Sequence, residues 1–473
     1  MQKKFLSNLL LIILLNLLVK PLAIFWIDAG VQERVGTETY GLYFSLLNLS
    51  FLFNILSDLG LNNFTTRALA RHPKVFTKYA GQVMGLRLVL FVCYLTITLL
   101  TGLLAGYQGE AIYFLAILAF NQMLTVMIAH VRSHFGGLHL FRADAFISVL
   151  DRALLILLCG SIFYTGTFEI EWFIWLQTAC YSVTLLIGAI LLIRHMGIPK
   201  IQYRKVVSLM VLRQSFPFAL LVLLMMLYTR SDVVLLERLH PNGALEAGIY
   251  AKGFRLLDAF FMFGMIFSNL LFPMFSRALK EQKEKVLPLL QTGSRLLIGG
   301  ALFVACTSYF HSEAVLGWIY NSEITEAAFP FRMLMWGFVG MCTTLIFGTL
   351  LTANGNLRAL NVTSAIGLVL NVSLNLILIP RLGANGSALA FLITQCLMGL
   401  IQIGLCIRRF RFSFTQLAIH RYLLFTSFMF GMQFVHLPQH FVLPVVLLAG
   451  VSGLFIFKLI DVKELSKVFK ENI

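Results

Sequence analysis

Residues Gly248 to Arg277 read GIYAKGFRLLDAFFMFGMIFSNLLFPMFSR, and the fold turns on how this stretch is read. The run is long and apolar enough to cross a bilayer as a helix. Yet Lys252, Arg255 and Asp258 fall in its first turns at three-residue spacing, which stacks them on one helical face. Lipid offers an ionised group neither a partner nor solvation, so that face must look onto protein or water. Lys252 alone is equally well explained by a stem that lies along the span with its ammonium at the interface. Arg255 and Asp258 lie one to two turns deeper, at about 1.5 Å per residue. The stretch therefore predicts a transmembrane helix that forms one wall of a polar cavity.

The same pattern occurs earlier in the chain. Gly41-Leu42-Tyr43 opens an apolar run that ends in Thr66-Arg67-Ala68-Leu69, and Gly248-Ile249-Tyr250 opens one that ends in Ser276-Arg277-Ala278-Leu279. The copies lie about 210 residues apart, the length of six spans with their loops. An even number of spans preserves orientation. The chain is thus expected to hold two parallel, pseudo-symmetric six-helix lobes related by an axis along the membrane normal.

Composition agrees with a membrane protein throughout. Of 473 residues, 59% are hydrophobic and 12% charged, with a mean hydropathy of +0.85; soluble domains carry about twice that share of charge. Met1-Gln2-Lys3-Lys4 and the apolar run behind it resemble a signal peptide. The run is too long, however, and carries Lys20-Pro21 inside it with no small-x-small site, so it reads as an uncleaved first helix. Apolar runs of spanning length fall at roughly 5 to 27, 38 to 61, 80 to 106, 110 to 131, 143 to 165, 170 to 193, 213 to 236, 248 to 275, 288 to 310, 326 to 352, 358 to 380, 384 to 407, 419 to 437 and 441 to 460. The expectation is an all-α polytopic membrane protein of about 14 transmembrane helices. Its parts are an N-terminal six-helix lobe over residues 1–205, a C-terminal six-helix lobe over 206–411, and two additional helices with a tail over 412–473.

Charge sets the orientation. Alternate connections collect the cations, among them Arg67, Arg71 and Lys74, then Arg194, Lys200, Arg204 and Lys205, then Arg408, Arg409 and Arg411. The intervening connections carry Asp28, Glu33 and Glu38, then Glu110, then Glu169 and Glu171, then Glu313 and Glu323. The asymmetry places both termini in the cytoplasm and accounts for much of the net charge of +16 without nucleic acid. The seven cysteines fall inside predicted spans with no local pairing, so neither a disulfide framework nor a metal site is expected.

Every connection is short, which leaves no soluble domain for a nucleotide or a metal centre, and there is no Walker loop, HExxH or Gly-x-Ser-x-Gly. Transport remains, with no cofactor and no enzymatic chemistry expected. The charges within spans indicate the substrate. Lys20, Arg87, Arg152, Arg230, Lys252, Arg255 and Arg332 outnumber Asp58, Asp151, Asp232 and Asp258. An excess of cations suits a phosphate or diphosphate, which arginine can clamp with two parallel hydrogen bonds. Each charge taken singly is as well explained by pairing or snorkelling. The candidate substrate-binding set is Arg255, Lys252, Lys20, Asp258, Asp232, Asp58 and Arg87.

Three stretches carry a resemblance. Tyr40 to Arg71, with Gly41-Leu42-Tyr43 and Ser57-Asp58-Leu59-Gly60, resembles the amino-terminal signature of the polysaccharide-biosynthesis transporters, which flip lipid-linked oligosaccharides. Ser231-Asp232, Gly248-Ile249-Tyr250, Arg255 and Phe272-Pro273 resemble their seventh-to-eighth helix segment. Asn375 to Ala390, NLILIPRLGANGSALA, is similar to their Pro-x-x-Gly-x-x-Gly-Ala-Ala-x-Ala motif, with Ser387 where alanine is usual. The resemblance, to Wzx-like flippases, implies the fold of the multidrug/oligosaccharidyl-lipid/polysaccharide exporter superfamily, with two six-helix lobes around a cavity that opens to each side in turn.

It further implies a protein of the bacterial inner membrane that moves an undecaprenyl-diphosphate-linked glycan outward for O-antigen, capsule or exopolysaccharide synthesis. The expected partners are that anionic lipid-linked glycan, membrane lipids and polysaccharide-assembly proteins. A multidrug or cation antiporter of the same superfamily would instead show carboxylates dominating the cavity. A membrane-embedded glycan polymerase or ligase would need a large outward loop bearing Arg or His.

Overall fold

The computed structural model describes residues 18–461 other than Lys20, His72, 164–167, 198–200, 203–204, Phe414 and 435–438. All regular structure within them is helical. In a bilayer the backbone must satisfy its own N–H and C=O groups, and runs as apolar as these do so as helices. The first expected span lies largely outside the described residues, which pick it up in a π-helical turn at Ala23–Asp28.

Two compact units divide the chain, Met1–Gly248 and Ile249–Ile473. The first holds α1 (Ala29–Val35), α2 (Thr37–Leu52), α3 (Leu61–Arg71), α4 (Pro73–Leu104), α5 (Glu110–Gly137), α6 (Phe141–Ile162), α7 (Ile170–Met196) and α8 (Lys205–Leu239). It ends in the first turns of α9 (Gly243–Glu281). Helix α5 packs against α2, α3, α4, α6 and α7 and is the hub of this unit. Helix α8 packs along α2, although the sequence assigns it to the second lobe.

The second unit continues α9 and adds α10 (Val286–Gly317), α11 (Ile324–Ala353), α12 (Leu357–Phe410), α13 (Ile419–Gly431) and α14 (Gln439–Ile456). Helix α11 lies between α10 and α12 and is mostly buried. Helix α7 is far less buried and presents apolar side chains such as Leu186 and Ile190 outward. An outward apolar face of that kind is what a bilayer solvates. The extra pair α13 and α14 packs on α10.

Two interruptions position polar groups. The second expected span, 38 to 61, bends by 46° between α2 and the segment after it. Leu59 and Gly60 there adopt left-handed backbone at φ +43° and +84°. At about 1.5 Å per residue α12 would be far too long for one crossing. Its backbone leaves the helical region at Gly383, φ +53°, just past Pro380, between the expected spans 358 to 380 and 384 to 407.

The glycines of the repeated Gly-x-Tyr motif meet each other. A Cβ on Gly41 would fall 1.8 Å from the Ala244 carbonyl oxygen, and one on Gly248 would fall 2.0 Å from that of Thr37. The contact is reciprocal, since each glycine faces the residue four positions before the other. Gln32 Nε2 adds a hydrogen bond to the Gly248 carbonyl oxygen at 2.8 Å. Small residues that let two backbones touch are the usual means of tight helix packing in membranes. The motif recognised in the sequence thus has a packing cause.

Candidate functional site

Asp58 and Arg87 are brought together in the first unit. The bend after α2 turns the Asp58 carboxylate toward the start of α3, where it accepts the Gly60 and Asn62 amide N–H groups at 3.2 Å each. It thereby caps α3 and complements the positive end of the helix dipole. Arg87 of α4 donates through Nη2 to Asp58 Oδ1 at 3.0 Å and to Asn62 Oδ1 at 2.9 Å. Its side chain is fully buried, while the aspartate remains 20% exposed. His130 and His134 of α5 stand near, with rings 4.6 Å apart edge to face, and Arg87 acts electrostatically on both. Asn54 donates to Gln122 at 3.3 Å and extends this polar patch.

The charged stretch on α9 divides. Lys252 is fully buried, and its ammonium donates to the carbonyl oxygen of Ser322, to Ser322 Oγ at 3.1 Å and to Glu323 Oε2 at 2.8 Å. The Tyr320 ring lies 5.4 Å away. Lys252 therefore fastens the connection between α10 and α11. Arg255 is 9% exposed and Asp258 is half-buried, both engaged in polar contacts. Asp232 of α8 is fully buried and likewise engaged. Lys20 lies outside the described residues.

The other span cations are placed as well, Arg152 at 3.6 Å from Asp151 Oδ2. Arg230 donates to Asn48 Oδ1 at 3.3 Å and lies 5.5 Å from the Phe51 ring, and Arg332 donates to Ser312 at 2.7 Å. Sequence reasoning missed Asn62, Glu323 and Ser322 as partners. Asn62 was findable, because it stands four residues after Asp58 where a cap meets the helix. Glu323 was not, since its contact to Lys252 spans about 70 residues. Among the described residues no group of three His, Cys, Asp or Glu side chains could hold a metal ion.

The model of the polysaccharide biosynthesis protein family matches residues 5–279, more than half of the chain. The chain belongs to this family. The model of the lipid II flippase MurJ matches residues 249–442. Among solved structures, lipid II flippase MurJ in an inward closed conformation is similar with a TM-score of 0.70 at 13% identity, covering 95% of this chain and 98% of that one. An inward-facing multidrug resistance MATE family transporter of the MOP superfamily gives 0.65 at 16% identity, covering 83% and 94%. A MOP superfamily transporter from Pyrococcus furiosus gives 0.58 at 14% identity, covering 84% and 95%. No curated protein matches. At these identities the structures share the fold, and the protein is a multi-pass membrane transporter of the flippase type, with transmembrane helices of the expected kind.

Proposed function

We propose that this protein flips an undecaprenyl-diphosphate-linked oligosaccharide across the bacterial inner membrane, for O-antigen, capsule or exopolysaccharide assembly. The observation that carries the reading is the family match over residues 5–279. The buried cation Arg255 on α9 supports an anionic headgroup. An arginine within a span costs at least about 2.5 to 3.5 kcal/mol on insertion scales. An ion pair with a carboxylate three residues on is worth about 0.2 to 0.5 kcal/mol on an exposed helix. A substrate diphosphate would add to the contacts that Arg255 already makes.

In this reading the two sides of the membrane gain access in turn while the polyprenyl tail stays in lipid, and no covalent bond is made or broken. Arg255 meets the diphosphate, with Lys20 and Asp258 as neighbours on the route. Lys252 acts by fixing the wall, given its bonds to Ser322 and Glu323. Asp232, Asp58 and Arg87 complete the proposed set. Both termini are cytoplasmic, and residues 1–205 and 206–411 form two repeats of one lobe, to which the reciprocal Gly41 and Gly248 contact lends support. A multidrug or cation antiporter of the same superfamily would have carboxylates dominating the cavity; Asp58 is held by Arg87 and two backbone amides.

Complementation of glycan export tests the reading. Arg255→Ala is expected to abolish export at near-normal protein level, and Arg255→Lys to restore part of it, because the charge survives but the planar fork does not. Normal export by Arg255→Ala overturns the assignment.

A further inference from the structure

One end of the first unit carries a buried polar group that the substrate reading does not use. Tyr107 lies in the connection between α4 and α5, is 1% exposed, and donates its O–H to Glu237 Oε2 at 2.6 Å. Having given its only proton to Glu237, the phenol oxygen accepts from the Ser45 hydroxyl of α2 at 2.9 Å. Arg238 grips both Glu237 oxygens and lies 4.0 Å from the Tyr107 ring centroid. Burial, and then the Glu237 carboxylate, push the phenol above its ordinary range, so it stays a donor at physiological pH. Nearby, the Gly41 and Gly248 crossing joins the starts of α2 and α9. The α8–α9 hairpin is thus held twice at the same end.

We infer that Tyr107, Glu237 and Arg238 form a latch that holds the α8–α9 hairpin against α2 and keeps this end of the unit closed, and that it opens during the transport cycle. The inference rests on the transporter reading and deepens it, naming positioning residues at the outward end. Arg238 keeps 32% of its side chain exposed, so water already reaches one member of this tie. Water replaces the bonds to Glu237 and Arg238 as they part, and a glycine crossing exposes little apolar side chain when it separates.

Labelling of the full-length protein in membranes tests this. Ala247 on the first turns of α9 is fully buried. In Ala247→Cys, an impermeant maleimide added from the outer side should react slowly, with the parent chain as the blank. Adding Tyr107→Phe, which removes one O–H and keeps the ring, should speed labelling about tenfold, equivalent to about 1.4 kcal/mol in the opening equilibrium. Glu237→Gln should do the same. A Tyr107→Phe protein that elutes as one species and labels within twofold of its Ala247→Cys parent overturns the latch, as does acceleration from the inner side alone. If Glu237→Gln does not fold, the Tyr107→Phe result decides by itself. The assay uses no substrate, so its failure leaves the flippase reading standing, and failure of Arg255→Ala to lose export leaves the labelling result standing.

Discussion

Arg87 and Asp58 form an unequal pair. The guanidinium is wholly buried, whereas the carboxylate keeps some exposure and two amide donors of its own. Removing the carboxylate charge leaves a buried cation uncompensated, a loss of about 3 to 5 kcal/mol for such pairs. Removing the guanidinium leaves an anion that α3 still stabilises. Asp58→Asn should therefore lower the thermal midpoint of the purified protein more than Arg87→Met, and the double variant should recover part of the Asp58→Asn loss. Equal losses from the two single changes would contradict this account. Lys252 carries the same lesson for sequence reading. Its place within a span was legible, but whether its ammonium reaches interface, cavity or loop depended on where the backbone of Ser322 came to rest.

Elements meet through their smallest residues. Gly248 and Gly300 are both helical glycines, yet a Cβ on the first would strike the Thr37 carbonyl oxygen and one on the second would meet nothing within 4 Å. Gly248→Ala is expected to destabilise by roughly 1 to 3 kcal/mol, the usual cost of overpacking. Gly300→Ala should be neutral or stabilising by up to about 1 kcal/mol through helix propensity. Thermal unfolding in one detergent compares them directly, and a loss in both would show that the crossing is not the cause. The bend after α2 was half legible: Ser57-Asp58-Leu59-Gly60 stood out as a motif, while the run around it read as one continuous span.

For the whole molecule, loop charge predicts the sidedness of each connection. Gln202, exposed before α8, and Gly109, exposed before α5, should be labelled from opposite faces when changed to cysteine, with Gln202 inside. Labelling of both from one face would refute the expected topology and, with it, the cytoplasmic termini. The lobe boundary near residue 205 is a matter of repeat arithmetic, whereas the compact units divide at Gly248 because α8 packs along α2.

By itself the sequence determined that this chain is a bundle of membrane helices, since continuous apolar runs in lipid have one way to satisfy their backbone. It also determined where the long helix α12 breaks, because Pro380 and Gly383 act locally. Its motifs carried the family, as the match over residues 5–279 shows. Only tertiary structure decided that Lys252 answers to Glu323, that Tyr107 answers to Glu237, and that two repeat glycines touch. Those contacts join positions about 70, 130 and 200 residues apart. A side chain's own spacing fixes the face of a helix it occupies, but the group standing opposite that face is supplied by another segment of the chain.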